Sequence, residues 1–278
     1  MDTKQLAGRV ALVTGGARGQ GRAHALALAE LGATVVVCDI ARQLPTVRYP
    51  MPGPEDLAET VAAIHAIGVP GRGEIVDVRD ASAVTSLVDG IVAEYGRLDI
   101  LVANAAITGF VPFTEISDDI WHDTIETNLT GVFNSMRAAV PHMTTAGYGR
   151  IVAISSGAGR AGMQHLAHYS ASKWGVIGLV KTVALEVGRY GVTANVVCPT
   201  SVATPMMLNE ALYRRLRPDL QDPTADDVAA AFAGLSPLGI PWLQPEDVTR
   251  AVMYLVTDPG VTTGSVLEVN LGTSASRT

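Results

Sequence analysis

The chain has 278 residues, 48% of them apolar and 17% charged, and its 27 acidic against 20 basic side chains give a net charge of −7. That length fits one large domain or two small ones, and the apolar content excludes a disordered chain. The negative balance argues against a nucleic-acid partner, because phosphates would go unneutralised. Cys38 and Cys198 each lie inside an apolar run, which favours buried structural thiols over a disulfide and a reducing, cytoplasmic compartment. The N-terminal MDTKQLAGRV carries no apolar leader, and no apolar run approaches the length of a membrane span.

Along the chain, apolar β-branched runs at 9–14, 34–38, 74–78, 98–103, 149–155, 192–198 and 265–270 predict strands. Between them, Ala/Leu-rich segments at 20–31, 55–67, 81–95, 117–145, 168–188 and 245–256 predict helices. Strands without polar alternation are covered on both faces, which requires a parallel sheet with helices on each side. The expected fold is α/β, a Rossmann-type doubly wound, seven-stranded parallel sheet flanked by helices, in a single domain spanning 1–278. Two segments break the alternation. Residues 40–55, IARQLPTVRYPMPGPE, form a Pro-rich insertion where a βα loop takes about 2–6 residues. Residues 199–244 interrupt the last crossover and read as a substrate lid. A tolerated surface insertion is the alternative for either segment.

The first strand runs into TGGARGQG and then a helix. Gly15, Gly19 and Gly21 let the backbone turn and approach a diphosphate, with Arg18 and Gln20 in the same loop and free N–H groups at the helix start. Asp39 ends the second strand, where a carboxylate accepts hydrogen bonds from an adenosine ribose and repels a 2′-phosphate. The pattern therefore predicts NAD over NADP, with Arg18 the feature that favours NADP. The spacing is GxxxGxG and lacks the Lys-Ser/Thr of an ATP-binding loop. Asp77 and Val78, at the end of the third predicted strand, are candidates for the adenine edge; capping the helix near Asp80 is the other role open to Asp77.

Tyr169 and Lys173 stand four apart, on one face of a predicted helix, and Ser156 ends the preceding strand. A phenol of ordinary pKa, about 10, is a poor base at neutral pH. An ammonium about 4 Å away supplies about 4 kcal/mol at an effective dielectric near 20, enough to lower it by about three units. Tyr169 can then serve as general base on an alcohol while Ser156 hydrogen-bonds the developing carbonyl oxygen.

With ANAA at 103–106, NLTG at 128–131 and YSASK at 169–173, the sequence resembles the short-chain dehydrogenase/reductase family over nearly its whole length. The resemblance implies Tyr169 as acid/base and Ser156 as orienter of the substrate oxygen. It also implies Lys173 on the nicotinamide ribose, Asn128 holding a water of a proton relay, and Asn104, with Ala105, beside the cofactor. Pro199, Val202 and Thr204 would lie near the carboxamide. Two departures from the family pattern are Ala106, where NAG is usual, and Thr200 after Pro199.

GQGRAHA, YPMPGPEDLAET and CPTSVATPM further resemble a carveol-dehydrogenase-like branch coupled to the redox cofactor mycofactocin. In that branch the insertion is thought to cover and trap NAD, which leaves the enzyme dependent on an external redox cofactor or acceptor. The predicted substrate pocket draws on Ile107, Thr108, Ser156, His165, Met206 and Met207, an apolar slot suited to an alicyclic or terpenoid secondary alcohol or its ketone. No metal is expected, since His165 and His168 lack a third ligand at convincing spacing. A homotetramer is expected by family analogy. The alternatives are an NADPH-linked ketoreductase, opposed by Asp39, and a non-catalytic NAD(H)-binding sensor, opposed by the intact Tyr169–Lys173 pair.

Overall fold

The alternation of apolar runs and helical segments becomes, in the computed structural model, one parallel sheet described over residues 4–275. In chain order the elements are β1 (Val10–Thr14), α1 (Gly19–Glu30), β2 (Thr34–Asp39), α2 (Pro54–Ile67), β3 (Gly71–Ile75), α3 (Ala81–Tyr95) and β4 (Ile100–Ala103). There follow α4 (Asp118–Ile125), α5 (Gly131–Ala146), β5 (Gly149–Ile154), α6 (Ala167–Val187) and β6 (Val192–Pro199). The C-terminal part adds α7 (Glu210–Leu216), α8 (Ala225–Gly234), α9 (Pro245–Thr257) and β7 (Val266–Val269). Strand order is β3-β2-β1-β4-β5-β6-β7, all parallel, which bears out the expected fold.

The strands bury both faces, and alternate residues feed two separate cores. Leu12, Val36, Cys38, Leu101, Ile151 and Val196 face α3, α5 and α6. Ala11, Val13, Val35, Val37, Val102 and Val152 face α1, α2 and α9. Cys38 and Cys198 are both buried and unpaired, as expected of structural thiols. The chain reverses winding direction between β1 and β4, so the carboxyl ends of these strands flank the crevice where open α/β sheets bind ligands.

Three expectations need correction or refinement. The third strand is Gly71–Ile75, not 74–78. It lies at the sheet edge beneath α2, where a Cβ on Gly71 would stand 2.6 Å from the Val35 carbonyl oxygen and one on Gly73 2.9 Å from Val61. Space therefore selects glycine there, and the β-branched residues that follow leave the sheet for the crevice. The segment 117–145 is α4 and α5 joined through a widened turn, Glu126–Thr130, in which the Gly131 N–H bonds the carbonyl five residues back at Glu126. Such turns recur at functional sites, and this one presents Asn128.

The insertion is a small folded lobe, not a solvated loop. Leu44, Val47 and Tyr49 pack with Ile107, backed by Ile40, Met51 and Met206. Gln43 organises it: its amide nitrogen donates to the carbonyls of Leu44, Val47 and Tyr49 at 3.1, 2.8 and 3.3 Å, and its oxygen accepts the Met51 N–H at 3.0 Å. Thr46 donates to Asp123 at 2.6 Å and Arg18 donates to the Pro50 carbonyl, which ties the lobe to α4 and to the glycine loop.

Candidate active site

The glycine loop is shaped by close backbone approach. A Cβ on Gly15, whose φ is +65°, would lie 2.8 Å from the Ala105 Cα, and one on Gly21 would lie 2.0 Å from the Gly15 carbonyl oxygen. No side chain fits at either position, so the turn leaves a concave cradle at the start of α1. The Gln20 side-chain oxygen faces this region buried and without a partner. Asn104 locks the cradle to β4, its amide donating to the carbonyls of Thr14 and Gly15, both at 3.1 Å, while Thr14 Oγ1 accepts the N–H groups of Asn104 and Ala105. These are the features a dinucleotide diphosphate requires, and the residues present fit one.

Asp39 is 7% exposed, and its carboxylate accepts the N–H of Ala17 at 3.2 Å and of Ala41 at 3.3 Å. Burial raises its pKa, with those backbone bonds opposing. Asp77 borders the same space but is engaged by Arg79 at 2.7–3.0 Å and by Arg42 at 3.3 Å. Burial pushes its carboxyl up, yet the Arg79 bonds and the Arg42 charge hold it below the usual range. The helix cap is Asp80, which accepts the N–H groups of Ser82 and Ala83, so Asp77 does not take that role.

One cavity of about 430 Å³ runs from these residues to the last crossover. It is bordered by Gly15, Arg18, Gly19, Gln20, Gly21, Asp39, Asp77, Val78, Asn104 and Ala105, and further along by Pro199, Val202 and Thr204. Ile107, Thr108, Ser156, Tyr169, Lys173, Met206 and Met207 border it too. His165 does not, although Met163, Gln164 and Leu166 around it do. Its backbone is in the left-handed region at φ +66°, between the wall residues Gln164 and Leu166.

Asn128 also stands outside the cavity wall. Its amide is committed to Ile107, accepting that N–H at 2.8 Å and donating to that carbonyl at 2.9 Å, with Ser172 at 3.2 Å. The side chain thus holds the loop after β4. Of the two departures, Ala106 borders the cavity and the Thr200 N–H bonds the Val269 carbonyl at 3.0 Å, so neither distorts the catalytic corner.

At that corner Ser156, two residues past the end of β5, accepts the Ala158 N–H at 3.1 Å and hydrogen-bonds the phenol of Tyr169. Lys173 is 1% exposed, its ammonium donating to the Ile154 carbonyl at 2.8 Å and standing 5.6 Å from the centre of the Tyr169 ring. The expected lowering of the phenol is not found. Burial pushes Tyr169 up to about 12, against the Ser156 hydrogen bond, and burial brings Lys173 down to about 8. At neutral pH the resting pair is a neutral phenol beside an ammonium.

Sequence reasoning missed Tyr49, Phe110, Phe232 and Leu235, all of which border the cavity. Phe232 is held edge-on by Trp242 at 6.1 Å between ring centres. No local pattern marks these residues, because each reaches the cavity through a loop or lid whose tertiary position has no sequence period.

The short chain dehydrogenase family matches residues 9–212. A (−)-trans-carveol dehydrogenase of Rhodococcus erythropolis is 42% identical over 271 residues, covering 96% of this chain and 98% of that protein. A crystal structure of carveol dehydrogenase from Mycobacterium avium in complex with NAD superposes with a TM-score of 0.96 at 40% identity, covering 98% of this chain and all of the other. A ketoacyl reductase assigned as putative in Streptomyces coelicolor is 37% identical over 264 residues, covering 94% of this chain and 95% of its own. With that match on a Rossmann-type sheet and the Ser156–Tyr169–Lys173 corner, the chain belongs to the short-chain dehydrogenase/reductase family.

Proposed function

We propose that this enzyme is an NAD-dependent dehydrogenase that interconverts an apolar, alicyclic or terpenoid-like secondary alcohol and its ketone. The observation that carries the reading is a single polar corner, Ser156–Tyr169–Lys173, in a cavity whose other end offers the glycine cradle and Asp39. NAD, when bound, supplies the hydride acceptor and, in its oxidised form, a positive charge.

The protein groups do the rest. Ser156 orients the substrate oxygen by a hydrogen bond, and Tyr169 takes the hydroxyl proton during oxidation or returns it during reduction. The Lys173 ammonium, on the same helix face, favours the transient phenolate by charge attraction. Asn128 acts by fixing Ile107 beside the reaction corner. Met206, Met207, Phe232 and Leu235 exclude water from the alcohol and carry no charge that would select an anionic substrate. Asp39 disfavours a 2′-phosphate, which argues against the ketoreductase reading with NADPH.

The insertion holds NAD in place between turnovers. Its own core, the Gln43 bonds and the Arg18–Pro50 tie support that role. An enzyme that keeps its NAD needs an external acceptor, for which mycofactocin is the reading carried by the resemblance. Exposed Trp121, Phe133, Trp174 and Leu185 on α4–α6 support packing of copies into a homotetramer. Two buried thiols suit a reducing cytoplasm.

The test compares carveol oxidation by protein stripped of its cofactor and reloaded with NAD or with NADP, in the wild type and in Tyr169→Phe. The expected result is NAD-linked turnover that Tyr169→Phe abolishes while NAD content is unchanged. Turnover that survives in Tyr169→Phe, or that runs faster with NADP, overturns the assignment.

A further inference from the structure

The Pro-rich lobe reaches past the region of Asp39 to the substrate end of the cavity, through Tyr49. That ring is 7% exposed and belongs to a cluster with Leu44, Val47 and Ile107 against which Met206 packs, Ile107 and Met206 being two walls expected for the alcohol. Its hydroxyl oxygen accepts a hydrogen bond from the Thr108 N–H, and it lies within electrostatic reach of Tyr169 on one side and Arg18 on the other. Thr108 Oγ1 stands buried and unpartnered beside it, also bordering the cavity. Leu44 and Met51 also border the cavity, with the Leu44 N–H bonded to the Met51 sulfur within the lobe.

We propose that Tyr49 is a specificity-determining residue, its ring closing the substrate chamber on the side of Ile107 and Met206 and so setting how bulky an alcohol reaches Tyr169. The proposal rests on the dehydrogenase reading above, and it gives the insertion a second task beyond the cofactor. The ring is positioned by three independent holds. Gln43 fixes the Tyr49 carbonyl, Arg18 fixes the carbonyl of the next residue, Pro50, and Thr108 fixes the hydroxyl. A wall held this firmly discriminates by volume, because a rigid apolar pocket rejects what it cannot enclose.

The experiment uses the full-length enzyme with its NAD and offers cyclohexanol and borneol together, so that the ratio of their kcat/KM values is read by internal competition. That ratio is independent of how much of each preparation is folded or loaded with NAD. Tyr49→Ala should move the ratio toward borneol by about tenfold or more, Tyr49→Leu by less in the same direction, and Tyr49→Phe should leave it within about twofold. If Tyr49→Ala and Tyr49→Leu slow both alcohols in equal proportion, Tyr49 only holds the lobe and the proposal is wrong. Should the wild type oxidise neither alcohol, the dehydrogenase reading is what fails. The same ratio is then taken from calorimetric dissociation constants of cyclohexanone and camphor, and an unchanged ratio in Tyr49→Ala, or no binding of either ketone to the wild type, overturns the wall.

Discussion

Lys173→Met should make the NAD-free protein more stable at neutral pH while destroying its turnover. The ammonium is 1% exposed, with one neutral partner, the Ile154 carbonyl. Burial lowers its pKa from 10.5 to about 8, so at pH 7 the folded state carries the charged form at a cost of about 3 kcal/mol. Methionine fills a similar volume without the charge but leaves the Ile154 carbonyl short of a donor, which costs about 1–2 kcal/mol. The net gain is about 1–2 kcal/mol, a rise of about 3–6 °C in Tm. Its pH dependence is diagnostic. A lowered lysine pKa gives stability that is present above the unfolded value, 10.5, and is lost as pH falls to the folded value. Raising pH from 8 to 10 therefore stabilises the wild type by about 1.4 kcal/mol per unit relative to Lys173→Met, and the variant's advantage should vanish near pH 9. Thermal denaturation at pH 7 and pH 10 reads both effects. A variant less stable than wild type at pH 7, or a difference that ignores pH, refutes the charge-burial reasoning.

Other outcomes follow from the same contacts. Asp39→Asn keeps an acceptor for the Ala17 N–H but removes the charge, so the affinity of the cofactor-stripped protein for NADP relative to NAD should rise at least about tenfold, measured by calorimetry. Buried His24 donates to Thr249 at 2.8 Å, its other nitrogen is unpartnered, and burial lowers its pKa to about 3. The unfolded chain takes up that proton as pH falls below 6.5, so urea denaturation should show about 2 kcal/mol lost by pH 5, a loss that His24→Gln lacks. Gln43→Ala deletes four hydrogen bonds of the insertion and should speed exchange of bound NAD with labelled NAD at least about tenfold, with the catalytic corner unaltered. Gly21→Ala places a Cβ against the Gly15 carbonyl and should abolish NAD binding, as read by calorimetry.

The sheet was legible because residues such as Leu12, Val36 and Val152 are buried on strands covered from both sides, which leaves an unbroken apolar signal. Only the edge failed, where glycine at 71 and 73 answers to the space under α2 and carries no strand signature. The glycine cradle, Asp39, Ser156, Tyr169 and Lys173 were readable because each depends on a fixed local offset from a strand end or along one helix face. Asn128 was legible as a position, but its bonds to Ile107 were not, since they span 21 residues through a widened turn. Tyr49 is the strongest case of what sequence omits. Four prolines announce a stiff segment, yet its contacts with Ile107, Thr108 and Met206 depend on where three separate loops converge. The phenol's pKa was misjudged for a related reason: spacing places Lys173 on the right face of α6 but does not reveal that its ammonium bonds Ile154 and that the Tyr169 phenol is desolvated.

The most direct test of the account adds carveol to the purified enzyme without supplying NAD and follows the near-ultraviolet absorbance of reduced nicotinamide. The account predicts a rise that stops at about one reduced nicotinamide per chain and is absent in Tyr169→Phe. No rise, either from the protein alone or after NAD is added to the same cuvette, contradicts the assignment of an NAD-dependent dehydrogenase for apolar secondary alcohols.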